Sequence, residues 1–500
     1  MTLDEAKKSL DELEREMSSY SYAMSVLFYD GQTSAPKGSA NGRSSCLGML
    51  TEKSYNLFAN EKTGELLAFL FENAKSLDFK TVRRVEDLKE EYDKQIKIPV
   101  AEFVDFEMLV NDSQAVWERA KNSNDYALFE PYLSKIVAAK KKFAAYCDPS
   151  KHPYDYMLNE FEKGNTREYC ENYFSEIKKT LVPLIQKVGA AKQLDSSCLE
   201  GKLCPIHKQA ELSDYLMNLL VIDRAHCTLG QTEHPFTVGM DKNDVRISTH
   251  YYEHNVASSM YSVIHEGGHS LYETGVADEY NGTCLSGGAS MACHESQSRF
   301  FENMIGRSES FISHVLPKLR ELFPCQFDDV SAHELYLAIN KAAPSLIRID
   351  ADELTYSMHI MVRYEIEKLL FEDKITTKEL PETWNRLYRE YLGVEVPDDA
   401  HGVLQDSHWS GAQFGYFPTY SIGSAYAAQL YEVMKRDIDV ETLVADGELA
   451  PVCEWLRERI WRFGKLYKPS EMIERACKEP FSPKYYTDYL TKKYSEIYGL

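Results

Sequence analysis

The sequence predicts a mostly α-helical protein, a large helical body that carries one small antiparallel β-sheet. Apolar residues recur at alternating intervals of three and four along most of the 500-residue chain, as they do on the buried face of a helix. Only residues 237–252 combine β-branched and aromatic residues with turn residues, as short antiparallel strands do. No Gly/Ser-rich or Pro-rich linker interrupts the chain, so we expect a single domain over residues 1–500.

The opening segment predicts a long amphipathic helix that ends near Gly31. Four heptads of this kind could form a dimerising coiled coil, but packing within the same chain is the preferred interpretation. The apolar positions of the segment are Leu3, Ala6, Leu10, Leu13, Met17, Tyr20, Met24 and Leu27.

Further helices are predicted along most of the remaining chain. A hairpin interrupts them at residues 237–252, where Asp241 and Asn243 supply the turn. The helical pattern returns from about Asn255 and persists almost to Leu500. The five predicted helices before the hairpin are 82–98, 103–121, 132–146, 166–188 and 212–221.

Charge and composition exclude several classes of function. The 78 acidic against 56 basic residues give a net charge of −22, which repels phosphates, so no nucleic-acid partner is expected. No stretch approaches the roughly 18 apolar residues of a membrane helix, and the first residues lack the apolar core of a signal peptide. We therefore expect no membrane partner and a cytoplasmic location. The 11 cysteines, an odd number without a CxxC pair, are expected to be reduced thiols.

The sequence HEGGH at residues 265–269 is an HExxH motif within a predicted helix. On a helix, His265 and His269 project from the same side about one turn apart, so their imidazoles can share one Zn²⁺. Glu266 lies about 100° around the helix, so it is the candidate general base toward a water that the metal activates.

The helix around this motif has candidate boundaries and one unusual feature. Ser258 and Ser259 are candidate N-caps, and residues 274–275 (Thr-Gly) supply a stop. Gly267 and Gly268 each cost about 1 kcal/mol relative to alanine in mid-helix. We infer that another backbone or a substrate approaches the helix closely there.

A zinc site of this kind needs a third ligand. The metzincin arrangement is excluded because Tyr272 and Gly275 stand where that class has Gly and His. Glu295 remains a candidate, since it lies in a segment of helical period 26 residues after His269. The downstream candidates as a set are Glu273, Asp278, Glu279, Cys284, Cys293, His294 and Glu295.

At these residues the chain resembles the carboxypeptidase Taq family of zinc metallocarboxypeptidases. Two departures from the family pattern are visible, Ser248 in place of the usual Thr, and Gly230 and Thr232 in place of Asp and Ser. The motifs that carry the resemblance are HPF (234–236), DVRIS (244–248), HEGGHSLYETG (265–275), HESQSR (294–299), IRIDADELTY (347–356) and GVLQDSHW (402–409) followed by FGYFPTY (414–420), with weaker similarity in LFEPYL (128–133) and YDYMLNEFEKGNT (154–166).

The resemblance implies a fold and a ligand set. It implies a helical body split by a deep substrate groove, a small sheet beside the metal, and a homodimer. It also implies that His265, His269 and Glu295 bind Zn²⁺, for which Co²⁺ can substitute, with Glu266 as base. Within the single domain we expect an amino-terminal helical lobe at 1–200, a catalytic core at 201–420 and carboxy-terminal helices at 421–500.

A carboxypeptidase must bind a terminal carboxylate, for which a guanidinium group is the natural partner. Arg348 is the first candidate and Arg246 the second, because both lie inside the matching motifs. The alternative for Arg348 is an internal ion pair with Asp350, Asp352 or Glu353.

The tetrahedral intermediate of peptide hydrolysis needs a hydrogen-bond donor for its oxyanion. His408 and Tyr420 are the first candidates, followed by His234 and Tyr416. Each of these side chains could instead be a packed aromatic ring or a histidine with satisfied hydrogen bonds.

These observations predict a zinc-dependent carboxypeptidase that acts on peptides with a free carboxyl terminus. One alternative is a peptidyl-dipeptidase or oligopeptide endopeptidase on the same helical plan. The other is a non-catalytic helical scaffold with a vestigial metal site.

Overall fold

The computed structural model describes all 500 residues and is mostly helical. The five helices predicted before the hairpin are present, with ends that differ by up to six residues. Helix 132–146 was predicted to begin after Pro131, but the proline lies inside the helix, which Asp125 caps. The nine helices before the sheet are α1 (Leu3–Thr33), α2 (Ala40–Phe58), α3 (Glu61–Glu72), α4 (Phe79–Lys97), α5 (Val100–Ser123), α6 (Tyr126–Cys147), α7 (Pro153–Phe161), α8 (Arg167–Ala190) and α9 (Ile206–Leu219).

Helix α1 packs within its own chain, as preferred from the sequence. Thr2 and Glu5 form a capping box at its start. Leu10 and Leu13 are buried in a small apolar core with Phe58 and other residues of α2–α4. A second, much larger core extends from Ala120 to Tyr494.

The sheet has three strands, β1 (Cys227–Gln231), β2 (Thr237–Asp241) and β3 (Asp244–Thr249), in the order β1-β3-β2. Strands β2 and β3 form the predicted antiparallel hairpin. Strand β1 pairs in parallel with β3, so the sheet is mixed, and the prediction of an antiparallel sheet was wrong in this respect. The pairing escaped prediction because turn residues indicate only hairpins between consecutive strands.

Two helices after the sheet carry the HExxH and HES motifs, α10 (Val256–Gly275) and α11 (Met291–Arg299), the second continued by a π-helical stretch at Phe300–Gly306. The side chain of Asn255 caps α10 by accepting a hydrogen bond from the Ser258 amide. The prediction of Ser258 or Ser259 as the N-cap was therefore wrong, because the asparagine carboxamide begins the helix three residues earlier.

Ten helices follow and complete the body. No helix in the chain has the length and apolar composition needed to cross a lipid bilayer. All 11 cysteines are free. The ten helices are α12 (Glu309–Leu322), α13 (Pro324–Phe327), α14 (Ala332–Ile339), α15 (Tyr356–Phe371), α16 (Leu380–Leu392), α17 (Pro418–Met434), α18 (Val440–Asp446), α19 (Ala450–Arg459), α20 (Pro469–Cys477) and α21 (Lys484–Tyr498).

Candidate metal centre and active site

A groove of about 1070 Å³ brings together most of the residues that the sequence singled out. Its walls include side chains from β2, α10, α11 and α17 and from residues 348–351. The candidate site residues from the sequence that line it are His265, Glu266, His269, His294, Glu295, Arg348, Tyr416 and Tyr420.

His265, His269 and Glu295 are brought together on one side of this groove. The Nε2 atoms of the two histidines lie 3.8 and 3.6 Å from the same oxygen, Oε2 of Glu295. The three ligand atoms lie within 4.8 Å of one another. Two imidazole nitrogens and one carboxylate oxygen are a donor set that suits Zn²⁺ and leaves a coordination position for substrate or water.

Glycine contacts at two helix crossings set this spacing. A Cβ atom on Gly268 would lie 2.6 Å from the carbonyl oxygen of Gln297, so α10 and α11 can approach this closely only with glycine there. On the other side of α11, a Cβ atom on Gly423 of α17 would lie 2.7 Å from Cβ of Glu295. The expected close approach at Gly268 is confirmed, and a backbone makes it.

Hydrogen bonds orient two of the ligands. The Nε atom of Arg299 donates to Oε1 of Glu295 at 2.7 Å, which leaves Oε2 directed at the histidines. The Nδ1 atom of His265 lies 2.8 Å from Oε2 of Glu302. Burial would raise the pKa of Glu302, but the charges of Arg299 and Arg307 and the hydrogen bond with His265 hold it well below its usual value. Glu302 is therefore a carboxylate that accepts a hydrogen bond from the Nδ1–H group of His265 and leaves Nε2 free for a metal.

Carboxylates and guanidinium groups surround the ligands. Arg299 pairs with both Glu295 and Glu302, and Arg307 pairs with Glu302 as well. Glu273 lies beyond His269, against His294. This concentration of carboxylates is an environment that would favour a bound cation.

Glu266 is held beside the ligands without joining them. Its Oε2 atom accepts a hydrogen bond of 2.5 Å from the hydroxyl of Thr237 on β2. Burial raises the pKa of Glu266, which makes the carboxylate a better proton acceptor than an exposed glutamate. The side chain is therefore suited to general base chemistry in the groove.

Arg348 is paired with an aspartate that the sequence analysis did not consider. Its Nε and Nη2 atoms donate to Oδ1 of Asp406 at 3.0 and 2.8 Å. The alternative partners Asp350, Asp352 and Glu353 are not its ion-pair partners, because Asp406, 58 residues along the chain, takes that place. Arg363 binds the other oxygen of Asp406 at 2.6 Å.

Arg246 lies elsewhere, on β3 and outside the residues that line the groove. It forms an ion pair with Asp244, with an Nη2–Oδ2 distance of 2.8 Å, and lies over the ring of Tyr29 on α1. The structure therefore separates the two arginine candidates.

Three of the four oxyanion candidates form one aromatic cluster. The Nε2 atom of His408 lies 3.2 Å from the hydroxyl of Tyr420, and the ring of Tyr416 packs against both. Burial lowers the pKa of His408 to about 4, so its imidazole is neutral near pH 7. His234 is not part of this cluster; its side chain is exposed, although the adjacent Pro235 lines the groove.

The sequence analysis missed several residues that support the site. Thr237, Arg299 and Glu302 contact the base or the ligands, and Asp406 holds Arg348. One signal was available for Arg299, which follows Glu295 by four residues and so lies on the same helix face. Long-range partners such as Asp406 leave no comparable pattern in a single sequence.

Comparisons with known proteins identify similar metallopeptidases. The family model of the carboxypeptidase Taq (M32) metallopeptidases matches residues 9–494. Carboxypeptidase 1 of Bacillus subtilis (strain 168) is 38% identical over 501 residues, covering 100% of both chains. Thermostable carboxypeptidase 1 of Thermus thermophilus is 33% identical over 512 residues, again covering 100% of both. The crystal structure of an M32 carboxypeptidase from Deinococcus radiodurans R1 matches with a TM-score of 0.96 and 32% identity, over 99% of this chain and 100% of that one.

Proposed function

Because the chain belongs to the carboxypeptidase Taq (M32) metallopeptidase family, we propose that its groove binds Zn²⁺. We propose further that the enzyme uses this site to remove single residues from the free carboxyl end of peptides. The family makes the protein a metallocarboxypeptidase, a hydrolase whose substrates are peptides. The convergence of His265, His269 and Glu295 next to Glu266 is the observation that carries the proposal of zinc and of these roles.

The two histidines and Glu295 hold the metal in this proposal. When bound, Zn²⁺ polarises the scissile carbonyl group and lowers the pKa of a coordinated water. Glu266 accepts the proton of the attacking water and passes it to the leaving amine. The hydrogen bond from Thr237 keeps the Glu266 carboxylate in place during this transfer.

The opposite wall supplies the groups that bind the substrate. Burial raises the pKa of Tyr420 well above its usual value, so the phenol stays protonated. If the neutral His408 donates its Nε2 proton to the Tyr420 oxygen, the phenol proton is free for the oxyanion of the intermediate. Arg348 binds the terminal carboxylate in this proposal, because it lines the groove and a guanidinium group is the natural partner of a carboxylate.

A peptide with a blocked amino terminus tests this function. We expect mass spectrometry to detect release of single carboxyl-terminal residues, phenanthroline to abolish the release, and Zn²⁺ or Co²⁺ to restore it. Release of dipeptides or internal fragments would favour the endopeptidase or peptidyl-dipeptidase alternative. Full activity in a verified metal-free preparation would contradict the metal-dependent mechanism.

Two variants separate the base from the ligands in the same assay. Glu266→Gln should keep the metal and lower kcat by at least about 10²-fold, because the shape is kept and the proton acceptor is lost. Glu295→Ala should lower the bound metal as well, as measured by elemental analysis. Equal metal loss in both variants would place Glu266 among the ligands.

The proposal extends to a homodimer, which the family resemblance implies. Helix α5 supports it, since Val100, Phe103, Val104 and Met108 lie on one face and are each at least 39% exposed. Sedimentation should give twice the chain mass of 57.4 kDa for the wild type. Met108→Glu should give the monomer, and Leu203→Glu, at an exposed apolar site outside α5, should not. A monomeric wild type would end this proposal.

A cytoplasmic location is also proposed. The 11 free thiols support it, because they suit a reducing compartment. Cell fractionation with antibody detection would check the location, and recovery of the protein outside the cytoplasm would contradict it.

A further inference from the structure

A chain of hydrogen bonds runs from the metal ligand His269 to a glutamate one helical turn further along α10. The Nδ1 atom of His269 lies 2.7 Å from Nδ1 of His294 on α11. The Nε2 atom of His294 lies 2.6 Å from Oε1 of Glu273. We propose that His294 and Glu273 position His269 and raise the affinity of the site for its metal. This inference rests on the proposed zinc site.

The proton positions in this chain follow from the geometry. His269 directs Nε2 toward Glu295, at 3.6 Å, so a metal would bind Nε2 and the proton of the neutral imidazole would lie on Nδ1. The Nδ1–H group donates a hydrogen bond to Nδ1 of His294, whose own proton must then lie on Nε2. The carboxylate of Glu273 accepts a hydrogen bond from that Nε2–H group. Each donor therefore has one acceptor, and His269 is fixed in the tautomer that binds metal.

Three glycines enclose the relay formed by His269, His294 and Glu273. A Cβ atom on Gly288 would lie 2.6 Å from Cδ2 of His294, and one on Gly239 would lie 2.9 Å from Oε2 of Glu273. A Cβ atom on Gly287 would lie 3.3 Å from Oε1 of the same glutamate. The side chains of His294 and Glu273 are only 19% and 18% exposed. Both are thus held in a close-fitting slot, as a positioning role requires.

The other histidine ligand has a matching but shorter support. His265 directs Nδ1 at Glu302, and Arg299 and Arg307 hold that carboxylate at 3.0 and 3.2 Å. Each imidazole ligand is therefore supported by a glutamate. His265 is hydrogen-bonded to Glu302 directly, and His269 is connected to Glu273 through His294. Glu273 lies outside the groove lining, so it acts on the metal through His294 and His269, whereas His294 also borders the groove.

The affinity of the full-length protein for Zn²⁺, measured by competition with a chromophoric chelator, tests this inference. Glu273→Gln and His294→Gln should each raise the Kd for Zn²⁺ by about 10-fold or more, the range for loss of such supporting groups. The double variant should be no worse than His294→Gln alone, because the two residues act in series. Glu273→Gln combined with Glu302→Gln should be multiplicative in Kd, because those residues support different ligands.

Glu14→Gln is the matched control, since Glu14 is also a glutamate held by a nitrogen-bearing side chain, but it lies buried against Arg84 on the amino-terminal helices. It should leave the Kd unchanged. The visible spectrum of the fully loaded Co²⁺ protein should shift in the two relay variants and not in Glu14→Gln. If His294→Gln does not fold, the measurements on Glu273→Gln are sufficient to test the inference, because glutamine has the same shape as glutamate.

The outcomes separate this inference from the proposed function. Wild-type Kd and spectrum in both relay variants, with tight Zn²⁺ binding by the wild type, would overturn the relay and leave the zinc site intact. A wild type that binds no Zn²⁺ would overturn the proposed function and the relay together.

Discussion

At the residue scale, Asp406 neutralises only one of the two guanidinium groups that it binds. Arg348 and Arg363 share its carboxylate, and together they hold the pKa of Asp406 well below its usual value although burial opposes this. One positive charge remains, and it reaches the groove through Arg348 because Arg363 is fully buried. A substrate carboxylate would balance this charge.

The first prediction concerns that charge. Arg348→Ala should lower kcat/KM, mainly by raising KM, because a charged partner of the substrate terminus is lost. The loss should correspond to about 2–4 kcal/mol of transition-state stabilisation. Arg348→Lys should recover only part, because the two-pronged guanidinium geometry is lost. Steady-state kinetics on paired peptides with free and amidated carboxyl ends would measure both effects.

Arg246→Ala is the control for this prediction, since Arg246 lies outside the groove. It should leave the kinetics close to those of the wild type. Amidated peptides should be poor substrates for the wild type and lose little more with Arg348→Ala. Equal losses for free and amidated peptides would make Arg348 structural.

The residues of the site differ in how far the sequence alone could predict them. His265 and His269 follow from spacing, because one helical turn places them on the same side. Glu295 remained one of several candidates from spacing, and only the resemblance selected it. Asp406 could not be predicted, because it meets Arg348 through tertiary packing across 58 residues.

At the element scale, a buried glutamate from outside α11 binds the first turn of the helix that carries Glu295, beside the N-cap Ser290. The side chain of Glu162, which follows α7, accepts hydrogen bonds from the amide of Ala292 at 3.1 Å and from the hydroxyl of Tyr426 at 3.2 Å. Burial raises the pKa of Glu162 to about 7, although these hydrogen bonds oppose the shift. Glu162, a group that titrates near neutral pH, thereby connects the amino-terminal helices to α11.

The second prediction follows from the sign of this shift. The folded protein holds the Glu162 proton up to about pH 7, whereas the unfolded chain releases it near 4.5, so this group makes unfolding easier as pH rises through that interval. Glu162→Gln has no such proton. The melting temperature of the variant minus that of the wild type should therefore increase between pH 5 and pH 8.

Differential scanning calorimetry would measure this difference. Glu160→Gln, two residues earlier and paired with Lys140 at 3.3 Å, is the control for losing a carboxylate in this region. A pH-independent difference for Glu162→Gln would contradict the raised pKa.

The elements show the same limit on prediction as the residues. Helices such as α4 followed from local periodicity, with ends within three residues of the predicted range 82–98. The parallel pairing of β1 with β3 did not follow, because strands brought together by a crossover share no turn that a sequence could reveal. The cap of α10 was misplaced by three residues, since Asn255 and the two serines are all favourable caps.

At the scale of the whole molecule, the net charge of −22 favours cationic peptides. The third prediction is that substrates carrying Arg or Lys gain kcat/KM at low ionic strength. They should lose this gain as salt approaches about 0.15 M, where screening acts over about 8 Å. A salt titration of matched Arg-ended and Leu-ended peptides would measure it.

Two other outcomes of that titration have distinct meanings. If kcat/KM for the Arg-ended and Leu-ended peptides changes in parallel with salt concentration, electrostatic steering does not contribute to activity. A preference for the Arg-ended peptide that survives high salt would point to an acidic group in the groove. Asp350, two residues from Arg348, lines the groove and is the candidate for that role.

The glycine contacts at Gly268 and Gly423 have a consequence for the life of the protein in a cell. They fix α11 between its neighbours through van der Waals packing of backbone and Cβ atoms. None of the three proposed metal ligands belongs to the large apolar core. We therefore expect the chain to fold before it takes up metal, so that a shortage of metal should leave folded but inactive enzyme in the cell.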